Sequence, residues 1–219
     1  MFKDKVIELK HQLIQDASLV EEMIAKSIKG LLDGKEEMLL EVMNTEEPKV
    51  NDYDRAIDEL CVQLIAQYEP VARDLRMVIM MIKMNKDLER MADHAVNISE
   101  SSLFLITHPV LGHYDDLKLM GENAVRMLKD GINAFVNEDV HLAMSVRERD
   151  NVVDDAGDKI LKDLTELMRT KKDSIPRCLQ LMRIAHNLER IADLSTNIAE
   201  EVIYIVEGRD VKHHPNVNP

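Results

Sequence analysis

At 219 residues the chain has room for one helical domain or two small ones, and either can bury a substantial core. It is 45% hydrophobic and 32% charged with only 7 Gly and 6 Pro, which excludes collagen-like, low-complexity and wholly disordered classes; no Trp, 3% aromatics and 14 Met leave Leu, Ile, Val, Met and Ala to build the core of an all-α protein. Asp and Glu number 41 against 28 Lys and Arg, and the resulting formal charge of -13 opposes non-specific binding to nucleic-acid phosphates and suits a cation or a basic partner.

The opening MFKDKVIELKHQ carries Lys3, Asp4, Lys5, Glu8 and Lys10 where a signal peptide needs an apolar run, so the expected location is the cytoplasm. Sparse breakers then divide the chain into six helical segments, expected near 3–31, 35–67, 72–106, 113–136, 139–170 and 175–206. Pro48 is expected to kink or restart the second. Cys61 and Cys178 fall inside apolar helical patterns and read as reduced core residues. The longest aliphatic run, Met77 to Ile82, is far short of a membrane span. After Gly208 the tail RDVKHHPNVNP loses apolar periodicity and is expected to be mobile, with His213 and His214 as a solvated end rather than a metal site.

An internal repeat organises these helices. Lys86–Glu100 laid over His186–Glu200 matches at eight of fifteen places, including Leu88/Leu188, Glu89/Glu189, Arg90/Arg190, Asp93/Asp193, Asn97/Asn197 and Glu100/Glu200. The same offset places Asn51, Asp54, Ala56 and Asp58 over Asn151, Asp154, Ala156 and Asp158 one helix earlier. The expected architecture is two tandem three-helix bundles, 1–108 and 109–208, with 209–219 as the tail.

The repeat carries acids in register. Glu89, Asp93, Asn97 and Glu100 lie within about 80° on a helical wheel, and Asn51, Asp54 and Asp58 within about 60° on the preceding helix; the second copy repeats both stripes with Asp154, Asp158, Glu189, Asp193 and Asn197. A single i,i+4 acidic pair is ordinarily a solvated face, since its repulsion is only about 0.2–0.5 kcal/mol. Four pairs at repeat-matched places, on consecutive antiparallel helices that can face one another, call for a cation, and hard metals such as Mg, Mn, Ca or iron take oxygen ligands. Arg90 and Arg190 read as surface or interbundle salt bridges in preference to anion binding, and His94 and His186 have no counterpart in the other copy.

These residues resemble the PhoU family of phosphate-signalling regulators. The likeness rests on Pro70, Ala72, Asp74, Leu75 and Arg76 at a helix start, on the following Leu-Glu-Arg-x-x-Asp-x-x-x-Asn-Ile, and on its second copy in LERIADLSTNIAEE. It implies a cytoplasmic, often dimeric protein of two three-helix bundles with two multinuclear metal clusters. Their ligands would be Glu89/Asp93 and Glu189/Asp193 with Asp54/Asp58 and Asp154/Asp158 opposite, extended by Asn97 and Asn197. It further implies a negative regulator of the phosphate regulon that links the phosphate ABC transporter ATPase to its sensor histidine kinase. The chain departs from the family pattern at Ala92 and Ala192, where many members have Gly. It also lacks the Pro-x-Ala-x-Asp-Leu-Arg start before the second motif, which puts equivalence of the two sites in doubt.

Two other classes compete with a metal-dependent adaptor. A ferritin-like di-iron enzyme wants two Glu-x-x-His motifs in one bundle, and Glu8-x-x-His11 and Glu138-x-x-His141 stand at non-equivalent places. A structural helical dimeriser would be indifferent to neutralising the stripes. No Gly-x-Ser-x-Gly, His-Glu-x-x-His or dinucleotide fingerprint occurs, so the expectation is a protein without catalytic activity.

Overall fold

The computed structural model describes residues 2–209 and Val211, and every regular element among them is helical. The predicted tail, with His213 and His214, lies almost wholly outside the described residues. α1 spans Phe2–Asp33 and ends at Gly34, whose φ of 64° suits glycine. The expected second helix is α2 (Glu36–Glu41), a π-helical turn (Val42–Glu46) and α3 (Glu47–Tyr68), with Pro48 in the first turn of α3, where a missing N–H costs nothing. Lys26 of α1 holds the π turn, its Nζ contacting Glu22, Glu41 and the buried Glu46. Burial pushes the Lys26 ammonium down, and the three carboxylates push it up by more.

α4 runs from Ala72–Ile106, α5 from Tyr114–Asn137, α6 from Val140–Thr170 and α7 from Ile175–Glu207, after a short 3-10 turn at Lys172–Ser174. Asp139 caps α6 by accepting the Leu142 N–H at 3.0 Å, and Gly208 closes α7 with φ 69°. The bundles α1–α3–α4 and α5–α6–α7 sit side by side, joined through α4 against α7 and α1 against α5, over one continuous apolar core. Rising positions on α4 meet falling positions on α7, His94 with Asn187 and Asn97 with Arg183, so this central pair is antiparallel. Cys61 and Cys178 are free and buried, and burial pushes the Cys61 thiol up to about 12.

Packing keeps the repeat register in one helix pair and shifts it in the other two. On α4 and α7, Val78, Met81, Met84, Leu88, Met91 and Ile98 are buried at the same places as Cys178, Leu181, Ile184, Leu188, Ile191 and Ile198. On α1 the buried Leu13, Ala17, Val20, Ile24 and Ile28 hold the places of Leu117, Gly121, Ala124, Leu128 and Ile132 on α5, four residues further along than the sequence match. On α3 the core residues Val50, Ile57 and Cys61 have as partners on α6 Val153, Ile160 and Leu164, three residues further along than the sequence match, and the buried Leu64 falls on the half-buried Leu167; the unshifted alignment puts Cys61 on Leu161, which is 52% exposed. By packing position, therefore, Asn51 corresponds to Asp154, Asp54 to Gly157, Asp58 to Leu161 and Glu47 to Asp150.

Candidate metal centre

The two acidic stripes form where α3 meets α4 and where α6 meets α7. In the first, Lys86 stands between the acids of α3, its Nζ 2.7 Å from Asp54 and 3.3 Å from Asp58. The buried Asn85 amide donates to Asp54 Oδ1 at 2.9 Å and Asp58 Oδ1 at 3.1 Å, and its own Oδ1 is buried without a hydrogen-bond partner. Burial pushes the Glu89 carboxyl up, Asp93 and Asp54 add to this, and Lys86 and Arg90 pull it partly back. Asn97 does not join this group. Its Oδ1 accepts from Arg183 of α7 at 2.6 Å, and Arg183 also reaches Glu100 at 2.8 Å, so this end of the stripe fastens one unit to the other.

The second stripe is built differently, as the shifted register requires. Gly157 occupies the place of Asp54, and the Glu189 carboxylate fills the space a side chain would take: a Cβ there would lie 1.9 Å from Oε1. Asp154 faces Asp193; burial raises its carboxyl, and Asp193, Asp158 and Asp155 raise it further. Glu189 is raised by burial and by Asp154 and Asp158, against the pull of His186, whose Nδ1 is 3.6 Å away. Asp193 pairs with Arg190 on its own helix at 3.2 Å, while Arg90 pairs with Asp87 at 3.8 Å, so of the two expected roles both motif arginines take the surface salt bridge. Asn197 lines a cavity of about 370 Å³ with Arg90, His94, Arg190 and Asp193.

Sequence reasoning missed Asp150 and Asp16. Asp150 lies one turn before Asp154, has a buried Oδ1 without a hydrogen-bond partner, and is pushed up to about 6 by burial and by Asp154, Asp193 and Glu200. Extending the stripe back by one turn would have found it. Asp16 of α1 is 0% exposed with neither carboxylate oxygen hydrogen-bonded, and burial together with Asp54 pushes it up to about 8. At the offset of 100 it pairs with Asp116 in the sequence, but by packing its place in the second unit is taken by the buried Met120. The two Glu-x-x-His pairs do not meet: Glu8 pairs with Lys5 and Glu138 with Arg73.

Among the described residues, no three His, Cys, Asp or Glu side chains converge into a formed metal-binding group. The donors nonetheless suit a hard cation in the second unit, where burial and neighbouring carboxylates raise Asp150 and Asp154 and where Asp150 Oδ1 lacks a hydrogen-bond partner. In the first unit the Lys86 ammonium already balances Asp54 and Asp58. Gly157→Ala tests the role of Glu189. Its methyl group displaces only the end of a flexible side chain, so stability should change by less than about 1 kcal/mol, while titration with Mn²⁺ should show several-fold weaker binding. Unchanged binding would remove Glu189 from the ligand set.

The PhoU domain family model matches this chain twice, over residues 13–102 and 117–202, so that both units and both stripes fall within it. The chain belongs to the PhoU family. Among its relatives are the phosphate-specific transport system accessory protein PhoU homolog of Aquifex aeolicus, 35% identical over 97% of this chain and 96% of that one, and homolog 1 of Thermotoga maritima, 32% identical over 96% and 91%. The crystal structure of PhoU from Pseudomonas aeruginosa superposes with a TM-score of 0.92 at 30% identity, over 95% of this chain and 100% of that one. The full helical framework is therefore shared with PhoU, and no described helix is long and apolar enough to cross a membrane.

Proposed function

We propose that this PhoU-family chain is a cytoplasmic accessory regulator of phosphate transport, a negative regulator of the phosphate regulon that joins the phosphate ABC transporter ATPase to its sensor histidine kinase. It acts as a metal-dependent homodimer without catalytic chemistry of its own. Support for the transport role comes from relatives named as phosphate-specific transport accessory proteins that match nearly end to end. The observation that carries the metal dependence is the cross-helix acidic group of the second unit, in which burial raises the carboxyls of Asp150 and Asp154, Asp154 and Asp193 raise Asp150 further, and Asp193 also raises Asp154.

Asp154, Glu189 and Asp193 would hold the ion, with Asp158 and Asp150 beside them. A bound divalent or trivalent ion would supply positive charge to an otherwise acidic face, available to phosphate or to a partner's carboxylates. The chain's own part is to hold the acids at the α6–α7 seam, with Gly157 leaving room for the Glu189 carboxylate.

The test is elemental analysis and Mn²⁺ titration of Asp154→Asn with Asp193→Asn, alongside a phosphate-starvation reporter in cells. Loss of bound metal together with derepression in high phosphate is expected. If metal content and repression both survive, the metal-dependent reading is wrong; if metal is lost and repression persists, the metal serves structure alone.

A further inference from the structure

The face where α1 meets α5 is the reverse of the acidic body. A groove of about 480 Å³ runs along this seam between the two units, on helices that carry none of the stripe acids. Its floor is apolar, made by Ile28 and Leu32 of α1 and Val125 of α5, and it stays open because Ala25 and Gly121 put little or no side chain into it. Gly121 is the closest approach of the two helices: a Cβ there would lie 2.9 Å from Ile28 Cγ1.

Cations rim the floor. Lys29 stands on one side and Lys118, Arg126 and Lys129 on the other, all exposed. Only Lys118 has a salt bridge, a loose one to Glu122 at 3.9 Å; Lys29, Arg126 and Lys129 have none within 4 Å among the described residues. Although the formal charge of the chain is -13, four cations line this groove against one acid, Glu122. At physiological salt, charges beyond about 8 Å are largely screened, so a docking segment responds to this rim rather than to the total charge.

We propose that this groove receives an acidic amphipathic helix of a partner protein. Ala25, Ile28, Lys29 and Leu32 recur at helical spacing over about 10 Å, two turns, as do Lys118, Gly121, Glu122, Val125, Arg126 and Lys129 over about 16 Å, three turns, so the two walls form a trough. A third helix laid in it covers the floor with apolar residues at i, i+3 or i+4, and i+7, and places Asp or Glu against the rim on both flanks. A flat anionic bilayer meets the rim but leaves the recessed floor uncovered. A second copy docked through the same face sets these cations against its own. The acidic helix is thus the occupant that satisfies both the apolar floor and the cations.

The probe is a fluorescent synthetic helix of about five turns with a Leu seam flanked by Glu, compared with the same seam flanked by Lys. Its anisotropy is followed on the full-length protein and on Lys29→Glu with Arg126→Glu, two exposed positions whose change leaves the core intact. Wild type is expected to bind the Glu-flanked helix at least tenfold more tightly than the Lys-flanked one, with affinity falling as salt rises, and the charge-reversed variant is expected to invert the preference. Equal binding of both helices, or no effect of the reversal, overturns the proposal. Two parallel measurements decide against it in favour of another occupant: sedimentation with vesicles of phosphatidylglycerol and phosphatidylcholine that depends on Lys29 and Arg126, or self-association of the wild type abolished by the same reversal.

Discussion

Asp16→Asn should make the metal-free protein markedly more stable at pH 9 and only slightly more stable, by about 1–2 kcal/mol, at pH 5. The Asp16 carboxyl is 0% exposed, neither oxygen is hydrogen-bonded, and its pKa rises from 3.8 to about 8 under burial and the nearby Asp54. An acid raised on folding binds more protons in the native state than in the unfolded one between these two values, so stability falls as pH climbs through that window. About four pH units at about 1.4 kcal/mol each set the scale of the loss near 5 kcal/mol once the group is ionised. An amide of the same shape removes the titration. Thermal unfolding of both proteins in chelator between pH 5 and pH 9 checks this; parallel curves would show that Asp16 ionises without penalty.

Lys86→Met should raise the affinity of the first stripe for Mn²⁺ by at least tenfold. Lys86 Nζ lies 2.7 Å from Asp54 and 3.3 Å from Asp58, and for this pair it is a tethered counter-ion in the position a metal would need. A unit charge within 4 Å is worth roughly 4 kcal/mol near a protein surface, and the half-exposed side chain scales that down to the order of 1–2 kcal/mol. The second copy has His186 at this place, 3.6 Å from Glu189. The two stripes should therefore differ in affinity in the wild type, the second binding first, and converge in the variant. Titration calorimetry that gives one unchanged class of sites in both proteins would refute the counter-ion role.

The helices and the α4/α7 repeat were legible because their signals are local. Gly34 and Pro48 punctuate the chain, and the Leu-Glu-Arg motif keeps both its core residues and its acids in one register. The α3/α6 register was not legible. There the polar identities, Asn51/Asn151, Asp54/Asp154 and Asp58/Asp158, lie outside the core, whereas the packing pairs, Val50/Val153, Ile57/Ile160 and Cys61/Leu164, are two identities and one apolar exchange. A three-residue shift turns a helix by only about 60°, so an acidic stripe remains on nearly the same side and the error leaves no trace in the pattern. What it hides is chemical: an Asp in one unit faces a Gly in the other. Asp16 and Lys86 were hidden for a different reason, since burial and cross-helix pairing depend on which helices become neighbours.

The antiparallel α4–α7 pair has a mechanical consequence. Each helix bears stripe acids along the same shaft that forms the joint between the units, with Arg183 tied to Asn97 and Glu100 across it and no hinge loop in between. A rod of 35 residues is about 52 Å long, so a 5° tilt about its middle sweeps each end through about 2 Å. Leverage of that kind turns a small rearrangement of carboxylates into a displacement at the far ends of both units, large enough to open or close a surface built across them.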